Sequence, residues 1–321
     1  MLLIVQRSLT FEMKGKITYQ RGLSSILSAY DAFIIDQWGV LHDGKVLYPS
    51  ALMTMDLIKK ANKKTVMLSN SSKRVGSSIA GLKKVGLDPE MYFDGIVTSG
   101  ELAWKFIQGG GMAGNKIFLF GNGQDDDEYV SSLGCVIAGP EEADFILARG
   151  TFSISGSDTK EFPDAFDLFS SEAFHAGLDV CAKRYLPMVC SNPDFYRPGS
   201  GQPMPGKIAA AYEALLGDRG KIKFFGKPYR DSYEACFKSL HGIDRTRVAG
   251  IGDSLDHDIL GAARNGIHSI FIENGVHCTT LGSCEGAAES VGPQRVEALI
   301  SQIGGDAELC IPTHSVPCFQ P

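Results

Sequence analysis

The 321-residue chain contains no Cys-x-x-Cys pair, no basic stripe, no internal repeat and no long low-complexity segment. Its eight cysteines are scattered, so neither a zinc ribbon nor a disulfide framework is indicated, and they read as reduced thiols of an intracellular protein. A formal net charge of -6 with both signs intermixed argues against electrostatic capture of a nucleic acid. The apolar start Met1-Leu2-Leu3-Ile4-Val5 meets Gln6 and Arg7 at once, too soon for a signal-peptide core or a bilayer span. A cytoplasmic protein without a membrane partner is therefore expected. Residues 1 to 11 carry no acid, which leaves organelle targeting by the first 12 residues open, and Met13-Lys14-Gly15-Lys16 reads as the start of the compact domain.

What is present is enough apolar material, 44% of the residues, to bury a sizeable core. Short apolar runs alternate with segments of helical period, the pattern of an α/β fold built on a mainly parallel sheet. Strands are expected at 32–36, 65–69, 222–226, 247–252 and 268–273, with helices at 50–61, 231–241 and 294–303. A second set of strand-like runs, at 116–120, 135–138, 144–148 and 188–190, lies between two glycine-rich stretches, Gly109 to Gly114 and Arg197 to Gly201. This predicts a core of 14–111 and 203–321 interrupted by a smaller inserted α/β domain at 112–202.

Open parallel sheets collect ligands outside the carboxyl ends of their strands, and Asp36, Ser69, Lys227 and Asp253 all fall at or just past such ends. Each has an ordinary reading by itself. Asp36 after Ala32-Phe33-Ile34-Ile35 is a turn or cap residue, Ser69-Asn70-Ser71-Ser72 an N-cap, and Lys227 before Pro228 a surface lysine. Together they place a carboxylate nucleophile, hydroxyl and amide donors, and an ammonium beside the carboxylates of Gly252-Asp253-Ser254-Leu255-Asp256-His257-Asp258. Clustered oxygen ligands at a strand end suit a hard cation such as Mg²⁺.

These four segments in this order resemble the haloacid dehalogenase superfamily. Ser69-Asn70, the insertion, Ser191-Asn192-Pro193-Asp194, Pro205-Gly206, Gly226-Lys227-Pro228 and Gly252-Asp253 with Asp258 are similar to its NagD-like class IIA branch, which carries a large C2 cap. The resemblance implies a Rossmann-like core under an α/β cap, Mg²⁺, and hydrolysis of a small phosphorylated metabolite. It makes Asp36 the nucleophile that forms an aspartyl-phosphate and also binds the metal. Ser69, Asn70 and Lys227 would hold the transferring group. Asp253 and Asp258 would complete the metal site with the backbone carbonyl of Trp38, while Asn192 and Asp194 would face the site from the cap. Phe195, Tyr196 and Arg197 would shape leaving-group specificity, and the cap is a candidate surface for self-association.

One acid is missing. The family pattern puts an aspartate two residues after the nucleophile, where it protonates the leaving oxygen and then deprotonates the attacking water; here that residue is Trp38. General acid–base help is worth about 10² to 10⁴ in rate, so a slow phosphatase is expected unless His42 or Asp43 takes the role. Two other readings stay open: a non-catalytic protein that binds Mg²⁺ and a phosphorylated ligand for regulation, and a metal-independent dehalogenase, since such enzymes accept an aromatic residue at this position.

Overall fold

The computed structural model describes residues 16–156, 158–217, 221–304 and 306–321. The expected start at Met13 to Gly15 and the first 12 residues lie outside the described residues. Seven parallel strands form the first sheet, in the order Thr18–Tyr19, His314–Val316, His268–Ile272, Val248–Gly252, Ala32–Ile35, Lys64–Ser69 and Gly95–Thr98. Strand Ala32–Ile35 is flanked by Lys64–Ser69 on one side and Val248–Gly252 on the other. The chain's path therefore reverses direction across the sheet at Ala32–Ile35, the switch point where doubly wound sheets open a crevice.

Side-chain alternation explains why these runs are strands buried on both faces. Phe33 and Ile35 pack with Met67, Ile251 and the helix Ala51–Lys60. Ala32 and Ile34 point the other way, onto Val66, Leu68 and the helix Arg230–Ser239 through Tyr233 and Cys236. With both faces covered, the strands carry continuous apolar sequence instead of alternating polar positions.

The second sheet runs Ile222–Phe224, Met188–Cys190, Phe145–Ala148, Lys116–Gly121, Ser153–Ser155 and Lys160–Glu161, with Val136–Ile137 paired to Lys116–Gly121. Its strands run in one direction except for Ser153–Ser155, which pairs antiparallel with both of its neighbours. Helices Glu172–Lys183 and Pro205–Leu216 cover one face through Phe174, Leu178, Ile208 and Tyr212. Tyr129 and Val130 cover the other, joined by Ala103 and Ile107 from the segment that enters this unit.

The insertion is thus an α/β cap, but it returns to the core later than the expected boundary of 203. Helix Pro205–Leu216 packs on the cap sheet, and Ile222–Phe224, expected as a core strand, pairs with Met188–Cys190 at the cap's edge. An apolar strand buried in a parallel sheet reads the same whichever sheet receives it, which is why the sequence misplaced it. The crossing back falls at Phe225-Gly226, directly before Lys227. Among the described residues no helix is long and apolar enough to cross a membrane, and all eight cysteines are free thiols.

Candidate functional site

The carboxyl ends of the central strands and the facing cap loops enclose a cleft of about 960 Å³. At its floor three buried carboxylates, Asp36, Asp253 and Asp258, bring ligand oxygens within 4.8 Å of one another. Asp36 follows strand Ala32–Ile35 and Asp253 follows Val248–Gly252, its neighbour in the sheet, while Asp258 comes from the first turn of the helical segment after Asp253. The Lys227 Nζ lies 2.6 Å from Asp36 Oδ1 and 2.8 Å from Asp258 Oδ1.

One ammonium among three carboxylates leaves negative charge uncompensated at positions almost wholly buried in protein. Burial pushes the Asp36 carboxyl up to about 7, against the pull of Lys227. Burial likewise drives Asp253 well above the usual carboxylate range, with Asp36 and Asp258 adding repulsion. Lys227 behaves oppositely: burial disfavours its charge, but Asp258 and Asp36 outweigh that and raise it.

Backbone geometry fixes the carboxylates. Asp253 Oδ2 accepts from the Val276 N–H at 2.6 Å, and Asp258 Oδ2 from the Ser254 N–H at 3.2 Å. Gly39, at φ +73°, turns the chain so closely over Asp253 that a Cβ there would fall 1.7 Å from Oδ2. Gly39→Ala should therefore cost about 1–3 kcal/mol from backbone strain alone. Urea denaturation checks this, and an unchanged midpoint would contradict the close approach.

Ser69 and Asn70 line the cleft as expected, but the Asn70 carboxamide is already committed. Its Oδ1 accepts from the Lys227 N–H at 2.6 Å, and its Nδ2 donates to Asp194 Oδ1 at 2.7 Å and to the Lys227 carbonyl at 3.2 Å. Asn70 thus ties the lysine's backbone to the cap loop. Asn192 and Asp194 also line the cleft, with Asn192 Oδ1 accepting from the Asp194 N–H at 2.8 Å and Asp194 lying 3.4 Å from His257 Nε2. The Asp194 side chain thus joins the cap loop to the core, and Asn192 braces that loop.

Trp38 is 38% exposed and its indole meets the His42 ring edge-on, centroids 5.6 Å apart. Gly44, at φ +90°, lies so close that a Cβ would come within 2.2 Å of the indole. Neither residue named as a substitute acid is free for that work. Asp43 Oδ1 accepts from the N–H groups of Lys45 and Val46, both at 2.8 Å, and closes its own turn. Burial lowers the His42 pKa, and its Nδ1 accepts from the Gly44 N–H at 2.8 Å, which places the ring proton on Nε2. A neutral imidazole with its lone pair engaged is a poor acid and a poor base.

Residues 33–135 match the haloacid dehalogenase-like hydrolase model, and residues 224–294 match the HAD-hydrolase-like model, together more than half of the chain. The chain belongs to the haloacid dehalogenase-like hydrolases. Chronophin of Mus musculus is 26% identical over 261 residues, 79% of this chain and 84% of chronophin. The acid sugar phosphatase of Staphylococcus aureus strain USA300 is 22% identical over 251 residues, covering 78% of this chain and 89% of its own length. The structure of NagD from E. coli K-12 superposes with a TM-score of 0.60 at 21% identity, over 90% of this chain and 97% of NagD. The fold is therefore the capped hydrolase fold that the sequence motifs resemble.

The family motifs pointed to Asn192, Asp194 and Phe195 to Arg197 on the cap side of the cleft, but not to Arg149. Arg149, fully buried, follows strand Phe145–Ala148 and binds Asp125 with two bonds of 3.0 and 3.1 Å. It also pairs with Asp126 and lies 4.3 Å from the Tyr129 ring. Asp125 to Glu128 read as the acidic start of a cap helix, which they are, but nothing in the sequence tied them to an arginine two strands away. The resulting lattice holds the loops that carry Asn122, Gln124 and Thr151 at the wall of the cleft.

Proposed function

We propose that this hydrolase cleaves phosphoric monoesters of small metabolites through an aspartyl-phosphate on Asp36, with Mg²⁺, and that it turns over slowly. The observation that carries the reading is the buried set of three carboxylates around one lysine, placed where the parallel sheet opens. The set fits a hard divalent cation: all donors are oxygens, they converge, and their charge exceeds what Lys227 neutralises. Asp36, Asp253 and Asp258 would hold it with the Trp38 carbonyl, which accepts no hydrogen bond among the described residues. Bound there, Mg²⁺ would offset negative charge on the phosphoryl oxygens.

In the first step an Asp36 carboxylate oxygen attacks phosphorus, and the ester oxygen leaves with the bonding pair. Lys227 orients Asp36 and balances charge on the transferring group, while the Ser69 hydroxyl and the N–H groups following that strand receive its oxygens. Water then adds to phosphorus, releasing phosphate and restoring the Asp36 carboxylate. In both steps a proton must move at the place where Trp38 offers no acid or base. Esters whose leaving oxygen needs no protonation, such as aryl phosphates, are therefore the better substrates.

A protein that binds Mg²⁺ and a phosphorylated ligand without turnover is the second reading, favoured by that same indole. Aryl-phosphate hydrolysis with and without Mg²⁺ separates the two: Mg²⁺-dependent release of phosphate supports the enzyme, and binding without release supports the second reading. The metal-independent dehalogenase fits less well, because it has no use for three converging carboxylates.

Lys227→Met should destabilise the fold by about 3–5 kcal/mol, since it leaves buried carboxylates without their ammonium. Thermal unfolding should show a large fall in Tm, partly recovered by added Mg²⁺. A Tm unchanged by the substitution would count against the charge balance described here.

A further inference from the structure

Arg197 is the half-buried arginine of this protein whose guanidinium has no carboxylate or carbonyl partner among the described residues. Other arginines that are partly or fully buried are paired: Arg74 with Glu101, Arg149 with Asp125 and Asp126, Arg247 with Asp31. Arg197 has only the Phe152 ring, 5.2 Å from its guanidinium carbon. It leaves the cap loop after Tyr196 and is anchored by its backbone, which donates to the Gln202 carbonyl at 2.8 Å and accepts from the Gly201 N–H at 2.9 Å. Burial lowers its pKa with no acid acting in the other direction.

Arg197 lines the same cleft as Asp36, on its cap side. A cation held there at a desolvation cost and unpaired is matched to an anion brought by a ligand. We propose that Arg197 receives a second anionic oxyacid group, a carboxylate or a further phosphoryl group, on the leaving-group side of the substrate. This rests on the reading of the cleft as a phosphoester site. It makes Arg197 a specificity-determining residue, with no part in the bond-making at Asp36. Its planar fork suits two parallel hydrogen bonds to such a group.

The test is a binding comparison that needs no turnover. Calorimetric Kd values are measured in Mg²⁺ for phenylphosphonate, 3- and 4-carboxyphenylphosphonate and 1,4-phenylenediphosphonate, on the wild type, Arg197→Lys and Arg197→Met. At least one doubly anionic ligand should bind the wild type about tenfold more tightly than phenylphosphonate, the scale of one charge-assisted contact. Which arm gains distinguishes carboxylate from phosphoryl recognition. Arg197→Met should abolish that preference while leaving phenylphosphonate affinity within about twofold, and Arg197→Lys should keep part of it. Equal wild-type affinity for all four ligands would overturn the proposal, as would an Arg197→Met variant that weakens all four equally. Failure of the hydrolase reading appears separately, as absence of phenyl phosphate turnover while these Kd ratios persist.

Discussion

Asp36→Asn is expected to reduce Mg²⁺-dependent phenyl phosphate hydrolysis by about 10³-fold or more, because it removes the nucleophile on which the covalent step depends. Asparagine keeps the size of the side chain and can still contact Lys227, so the fold should survive the exchange. Circular dichroism and the Tm confirm that point, and initial rates of phosphate release measure the loss. Retention of the wild-type rate would remove Asp36 from the mechanism and with it the aspartyl-phosphate.

Trp38→Asp is expected to do the reverse. Neither residue closest in sequence takes over the acid–base role: His42 has its Nδ1 engaged by the Gly44 N–H, and Asp43 is spent on its own turn. Supplying a carboxyl at position 38 should raise kcat by about 10² to 10⁴, more for alkyl than for aryl phosphates, since alkoxide leaving groups need the proton most. The indole is only partly covered, resting on His42 and Gly44, so its removal should cost little packing. The ratio of alkyl to aryl rates is the measurement. A variant with an intact Tm and an unchanged ratio would show that the missing proton transfer is not what limits this protein.

The core site was legible in the sequence because its geometry follows from one rule. Short apolar runs buried in a parallel sheet end where ligands bind, so Asp36, Ser69 and Asp253 could be placed at one mouth without knowing the strand order. Lys227 was placed correctly for a partly wrong reason, since the strand before it belongs to the cap sheet and delivers the lysine as the chain crosses back into the core. The Asn70 carboxamide shows the opposite limit. Its position was readable, but its three hydrogen bonds to Lys227 and Asp194 join segments more than a hundred residues apart, and no local pattern encodes them. Arg149 was invisible for the same reason: a single arginine after a strand has no signature, and its meaning comes from Asp125, Asp126 and Tyr129 meeting it in space.

The most direct test of the account is the covalent state of Asp36 during turnover. Wild-type protein mixed with phenyl phosphate and Mg²⁺, quenched in acid and digested, should yield the peptide containing Asp36 with a phosphoryl group on that carboxylate. The adduct should accumulate, because its hydrolysis lacks a base, and it should be shorter-lived in Trp38→Asp. Phosphate released at a measurable steady rate with no phosphoryl group on Asp36 at any time would contradict the account, and so would a phosphopeptide that forms equally in Asp36→Asn.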